Sequence, residues 1–239
     1  MQEAINLALK GSADVRPNPK VGCILVKNKE IIGKGYHKKY GGYHAEVNAF
    51  NYCIKKYGKD KAVELLSDAT AYITLEPCSI FSKTPPCTSS LIKYGVKNVF
   101  CASLDPNKKI NGKGVKILRE NGINVEVGLL KEQALSINQD FFFRHKKGRP
   151  FIRMKIAQSL DAKIALSSGD SKWITSKKSR DDVQEIRKSS DGILVGSGTI
   201  LKDNPRLNVR KNITSINGKQ PKKIILGSSF LTKENDLKI

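Results

Sequence analysis

Apolar residues Ala4, Ile5, Ala8 and Leu9 recur at helical spacing, which predicts an amphipathic helix at the start of the chain. The runs VGCILVK and IIGKGY then flank the turn Asn28-Lys29-Glu30 as a hairpin. A helix is predicted from near His44 past Cys53. The run AYITL at 71–75 reads as a buried strand that delivers Glu76-Pro77-Cys78 at its C-terminal end, and a helix follows from Cys87 to Tyr94. Strand Val99–Ala102, helix Val115–Asn121, strand Val125–Val127 and helix Glu132–Phe143 complete the series. Strands alternating with helices predict a three-layer α/β domain.

The stretch HKKGRP at 145–150 interrupts both periodicities and offers little to bury, so it predicts a linker between domains at 1–145 and 146–239. In the second domain, strand Phe151–Ala157, helix Lys177–Lys188, strand Gly192–Val195 and strand Lys223–Leu226 repeat the α/β theme. Residues 146–239 are fewer than the roughly 100–150 of a common domain, so this part is expected to be incomplete.

Composition narrows the function classes. No apolar run is long enough to span a bilayer, and the first residues lack the basic start and apolar centre of a signal peptide, so the default is a cytoplasmic globular protein. Five cysteines in such a chain argue for reduced thiols, open to metal, over a disulfide framework. Cys23, Cys53 and Cys101 sit in apolar segments and read as core residues. Only Cys78 and Cys87 fall in a Pro-rich loop. The net charge of +21 invites a nucleic-acid partner, but 34 of the 43 basic residues are Lys, scattered along the chain. That scatter fits compositional bias better than a phosphate-tracking groove, although the field would still draw in a small phosphorylated substrate.

The candidate chemistry lies in the first domain. His44-Ala45-Glu46 opens a helix, Pro77-Cys78 ends a strand and Cys87 opens another helix. One imidazole and two thiolates make three zinc ligands, which leaves a fourth position for a water that loses a proton near neutral pH. Glu46, two residues from His44, is better placed to move protons from that water to a ring nitrogen and the departing amine than to ligate the ion. The H-x-E and P-C pattern is that of zinc base deaminases. Those enzymes separate the two thiols by two residues, whereas eight lie between Cys78 and Cys87.

PNPKVGCILV at 17–26, GYHKKYGGYHAEVNA at 35–49 and TLEPCSIFSKTPPC at 74–87 together resemble the deaminase half of bacterial bifunctional riboflavin-biosynthesis deaminase/reductases, which have the same eight-residue gap. MKIAQSLDAKIAL, DSKWITS and ILVGSGTILKDNPRLNVR are similar to the reductase half. The resemblance implies a cytidine-deaminase-like three-layer domain followed by a partial dihydrofolate-reductase-like α/β domain. It implies zinc on His44, Cys78 and Cys87, Glu46 as proton donor, and Asn18, His37, Lys83, Asp105 and Asn107 at the substrate. The implied substrate is a 2,5-diaminopyrimidinone bearing a ribosylamino 5-phosphate. In the second domain it implies NADPH against Ala157, Trp173, Thr199, Asp203 and Ser228, with Ser171, Arg187, Leu207 and Arg210 holding the substrate. Self-association is expected of the family.

The chain departs from the family pattern at Ile80 and Ser82, where a His and a Gly are usual, at SLDA, where the family has SLDG, and at Gly227, commonly Asp. The family's closing cofactor loop has no counterpart before Ile239, so little or no reductase activity is expected of this polypeptide alone. Two rival readings are a tRNA or nucleoside deaminase, which would be more salt-sensitive, and a decayed chain with a purely structural zinc.

Overall fold

The computed structural model describes residues 1–81, 84–210, 220–227 and 237–238, and divides the chain into the units Met1–Ile152 and Arg153–Ile239. The first unit is a five-stranded sheet in the order β2-β1-β3-β4-β5, from β1 (Gly22–Lys27), β2 (Glu30–Tyr36), β3 (Thr70–Ile73), β4 (Asn98–Cys101) and β5 (Asn124–Val127). Asn28 and Lys29 both take positive φ, 50° and 66°, the backbone pair that matches a hairpin turn to strand twist. Strands β3, β4 and β5 run parallel, so each link must cross over, and α4 (Cys87–Lys93) and α5 (Lys113–Glu120) supply the crossovers.

Two glycines set the helices against the sheet. A Cβ on Gly22 would lie 1.9 Å from the carbonyl oxygen of Ala4 in α1 (Gln2–Leu9), and one on Gly35 would lie 2.1 Å from that of Ala45 in α2 (Ala45–Tyr57). Cys23 pairs with Gly35, and Gly22 with Tyr36, so the two glycines point to opposite faces of the β1–β2 ladder. Helices therefore cover both faces, giving the three layers. The core runs through Leu25, Phe50, Leu66, Ile73, Leu91, Val99 and Leu118, with Cys23, Cys53 and Cys101 fully buried in it.

Several elements differ from the periodicity. Leu9 is 55% exposed and lies outside the apolar stripe of α1. Helix α3 (Lys59–Leu66), after Gly58 at φ 81°, buries only Ala62 and Leu66, too little apolar pattern to announce it. The single helix expected over 132–143 is two, α6 (Lys131–Ser136) and α7 (Gln139–Lys147). Between them Asn138 leaves the helical conformation to pair with the backbone of Lys20, accepting its N–H and donating to its carbonyl, both at 2.8 Å. Helix α7 runs through His145 to Lys147 and stops at Gly148 with φ 67°, so half of the expected linker is helical.

The second unit contains α8 (Lys177–Lys188), capped by the Ser176 hydroxyl, then β6 (Gly192–Gly196), α9 (Ser197–Asp203) and β7 (Lys222–Leu226), which pairs parallel to β6. No strand forms over 151–157. Ile152, Met154 and Ile156 are all exposed, and the segment joins neither sheet among the described residues. No helix among the described residues is long and apolar enough to cross a membrane.

Candidate active site and metal centre

Strand β3 and helices α2 and α4 converge on one point. His44 is the extended residue before α2, Cys78 follows β3, and Cys87 is the first residue of α4. Their ligand atoms all lie within 4.8 Å of one another, with Nδ1 of His44 3.3 Å from the Cys87 sulfur and 3.5 Å from that of Cys78. A tetrahedral ion with zinc bond lengths of roughly 2.3 Å to sulfur and 2.0 Å to nitrogen holds N and S roughly 3.5 Å apart, so the residues fit zinc.

The thiols are electrically distinct. The hydrogen bond from Cys87 brings Cys78 down to about 4, and the Cys87 backbone N–H adds a second donor to that sulfur at 3.3 Å. The same pairing, together with burial, raises the Cys87 thiol. The Cys78 sulfur thus sits at the positive start of α4, where a backbone donor favours a thiolate.

Glu46, the second residue of α2, is 3% exposed, and burial raises its carboxyl above the ordinary range. Its carboxyl stands close enough to the Cys87 thiol for each to shift the other. A carboxyl whose protonated form is favoured, held beside the ligand set, is suited to moving protons.

Around this centre, His37 is 3% exposed and both its ring nitrogens are engaged. Nδ1 is 3.0 Å from the carbonyl oxygen of Tyr43, and Nε2 is 3.2 Å from the side-chain nitrogen of Asn18. A carbonyl can only accept, so Nδ1 carries the proton and Nε2 accepts from Asn18. The imidazole also meets that of His44 edge-on, centroids 5.3 Å apart. Asp105, 6% exposed, is raised to about 6 by burial, and its Oδ1 accepts the N–H of Asn107 at 2.8 Å. Ile80 is 38% exposed and supplies no polar side-chain atom where the family pattern has a His. Lys83 and Ser82 lie outside the described residues.

Sequence reasoning passed over Glu76. Its buried carboxylate accepts four backbone N–H groups, from Asp105, Gly112, Gly114 and Val115, at 2.9–3.2 Å. An acidic residue between an apolar strand and a Pro-Cys pair was the available signal.

In the second unit, Arg187 is half-buried, and burial together with the nearby charge of Arg210 lowers its guanidinium. Arg187 donates to the carbonyl of Asn208 at 2.9 Å, and the Arg210 N–H donates to the buried Gln184 at 3.0 Å, so the two arginines are drawn to one region. Leu207 is buried and Ala157 half-buried. Trp173 is 66% exposed, with the Arg180 guanidinium 4.3 Å from its ring centroid. Ser171, Thr199 and Asp203 are exposed, and no hydrogen bond joins them among the described residues. Ser228 lies outside the described residues.

Comparison with known proteins agrees with this geometry. Residues 1–103, which include all three ligands, match the cytidine and deoxycytidylate deaminase zinc-binding region, and residues 150–237 match the RibD C-terminal domain. The riboflavin biosynthesis protein RibD of Buchnera aphidicola subsp. Baizongia pistaciae is 48% identical over 95% of this chain and 62% of its own length. That of Escherichia coli is 44% identical over 88% of this chain and 55% of its own. A crystal structure of a diaminohydroxyphosphoribosylaminopyrimidine deaminase/5-amino-6-(5-phosphoribosylamino)uracil reductase from Thermotoga maritima superposes with a TM-score of 0.89 at 42% identity. It covers 100% of this chain and 65% of that one. The chain thus spans less than two thirds of each of these relatives. A zinc-binding deaminase region followed by RibD C-terminal sequence along one polypeptide is what this chain shares with these riboflavin-biosynthesis proteins.

Proposed function

We propose that the Met1–Ile152 unit hydrolyses the 2-amino group of a 2,5-diaminopyrimidinone carrying a ribosylamino 5-phosphate, releasing ammonia and the corresponding uracil. The observation that carries this reading is the convergence of His44, Cys78 and Cys87 beside the buried carboxyl of Glu46. Zinc, when bound there, supplies an acidified water as the nucleophile. Glu46 would carry the first proton of the attacking water to the ring nitrogen as the C–O bond forms, and then the proton of the added hydroxyl to the amine as the C–N bond breaks. One water is consumed and one ammonia leaves.

The residues around the centre divide the remaining work. Asn18, with its amide nitrogen committed to His37, presents its carbonyl oxygen as an acceptor for a donor group of the substrate. Asp105 and Asn107, in the loop after β4, are assigned to the substrate, and Lys83 to its phosphate. Five free cysteines, two of them facing a common metal position, suit a reducing compartment, which supports a cytoplasmic location.

For the second unit, the reading is an NADPH-dependent reductase region acting on the deaminated product. Arg187 and Arg210 would offer guanidinium donors to its phosphate, beside Ser171 and Leu207. Ala157, Trp173, Thr199, Asp203 and Ser228 would lie along the cofactor. Self-association is part of the family reading and is tested by sedimentation.

Incubating the zinc-loaded protein with the diaminopyrimidinone phosphate, with and without NADPH, tests the deaminase reading. Ammonia release independent of NADPH supports it. Activity confined to polynucleotides and falling steeply with salt would favour a tRNA-type deaminase instead.

A further inference from the structure

Glu76 stands two residues before Cys78, and its side chain reaches the start of α5 and the loop after β4. Oε1 accepts the N–H of Gly114 at 2.9 Å and of Val115 at 3.2 Å, while Oε2 accepts those of Gly112 at 2.9 Å and Asp105 at 3.1 Å. The carboxylate is 3% exposed, and no ion pair reaches it among the described residues, so four amide dipoles are what compensate its charge. Its own N–H donates to the carbonyl of Ser103 at 2.9 Å, which ties the same residue to the end of the neighbouring strand.

This contact does two structural jobs. Helix α5 has no side-chain cap of its own, and Glu76 satisfies the N–H groups of its first turn from outside while placing a negative charge at the positive end. The close approach depends on Gly114, where a Cβ would lie 2.2 Å from the carbonyl oxygen of Pro77. The fourth bond reaches Asp105, whose turn is closed by Asn107 N–H on Oδ1 and by the Asn111 amide on the carbonyl at 2.7 Å. The strand end that delivers a zinc ligand therefore also holds the turn that carries Asp105 and Asn107.

We propose that Glu76 is a positioning residue for substrate binding: its four-amide clamp registers the Asp105–Asn107 turn against Cys78, so substrate affinity depends on this carboxylate while metal binding does not. The inference rests on the reading that this turn contacts the substrate.

Glu76→Gln is the sharp test, because the amide is the same size but turns one doubly accepting oxygen into a donor facing two N–H groups. The expected result is a KM for the diaminopyrimidinone phosphate raised about 10-fold or more, with kcat within a few-fold. Zinc stoichiometry and the visible spectrum of the cobalt-substituted protein should be unchanged. Amide exchange should be faster at the pair of amides left facing the new donor. Glu76→Asp covers the case in which Glu76→Gln does not fold: it keeps the charge but shortens the reach, and should give the same pattern at smaller amplitude. A folded variant with wild-type KM and wild-type exchange would overturn the proposal, as would loss of zinc with exchange unchanged. If the wild-type protein released no ammonia, the functional reading would fail separately, and the exchange measurement would still decide whether Glu76 fixes the turn.

Discussion

Nε2 of His37 accepts a hydrogen bond from the side-chain amide of Asn18, 3.2 Å away, and this contact dictates which way the Asn18 carbonyl faces. The Tyr43 carbonyl holds the proton on Nδ1, and burial holds His37 below the ordinary histidine value, so the ring is a neutral acceptor on its Nε2 side. His37 then acts through Asn18. The two residues should behave as one unit in a double-mutant cycle: Asn18→Ala and His37→Ala should each raise KM by about 3- to 10-fold, the worth of one hydrogen bond. The double variant should be little worse than either. Effects that multiply would show that His37 contacts the substrate by itself.

Glu46→Gln keeps the size of the side chain and removes its proton-transfer capacity. Zinc content should be unchanged, and kcat should drop by about 100- to 10,000-fold, the usual contribution of a positioned general acid–base group. Ammonia release by the folded, zinc-replete variant at the wild-type rate would remove Glu46 from the reaction.

Packing around the site makes its own prediction. A methyl group at Gly35 would collide with the Ala45 carbonyl oxygen at 2.1 Å and the Ala49 nitrogen at 2.3 Å, both backbone atoms that cannot step aside without moving α2. Gly35→Ala should therefore lower stability by at least about 2 kcal/mol, seen as an earlier denaturant midpoint. It should also weaken zinc binding, because His44 immediately precedes α2. An unchanged midpoint would mean that the helix is free to shift.

Asp105 yields a pH signature. Burial raises it to about 6 in the folded chain, from an unfolded value near roughly 4. Between those values the folded state binds more protons than the unfolded one, so stability falls as pH rises from about 4 to about 6 and the cost is constant above. Asp105→Asn does not titrate. Denaturation of the metal-free proteins should show the variant gaining on the wild type across that window, by on the order of 1–3 kcal/mol in total, then running parallel above it. A difference that stays flat from pH 4 to pH 7 would contradict the assignment.

The legible parts of this chain were those whose chemistry is local. A His-x-Glu at the start of a helix and thiols at a strand end and a helix start can be read from residue type and spacing, because each ligand is delivered by its own element. The strands of the first unit and helix α2 announced themselves by periodicity for the same reason. Glu76 was passed over because its partners are backbone amides of residues 105–115, and amides carry no residue-specific signature. Helices α6 and α7 merged in the reading because what divides them, Asn138 on Lys20, spans 118 residues. The strand expected over 151–157 fails on the same ground: alternation describes one strand, but a ladder needs a second, and none of the described strands pairs with it.

X-ray absorption at the zinc edge tests the account at its root. Zinc-loaded wild-type protein should show two sulfurs at about 2.3 Å and two nitrogen or oxygen neighbours at about 2.0–2.1 Å, from His44, Cys78, Cys87 and one solvent molecule. A shell of four sulfurs, or one with no sulfur, would contradict it.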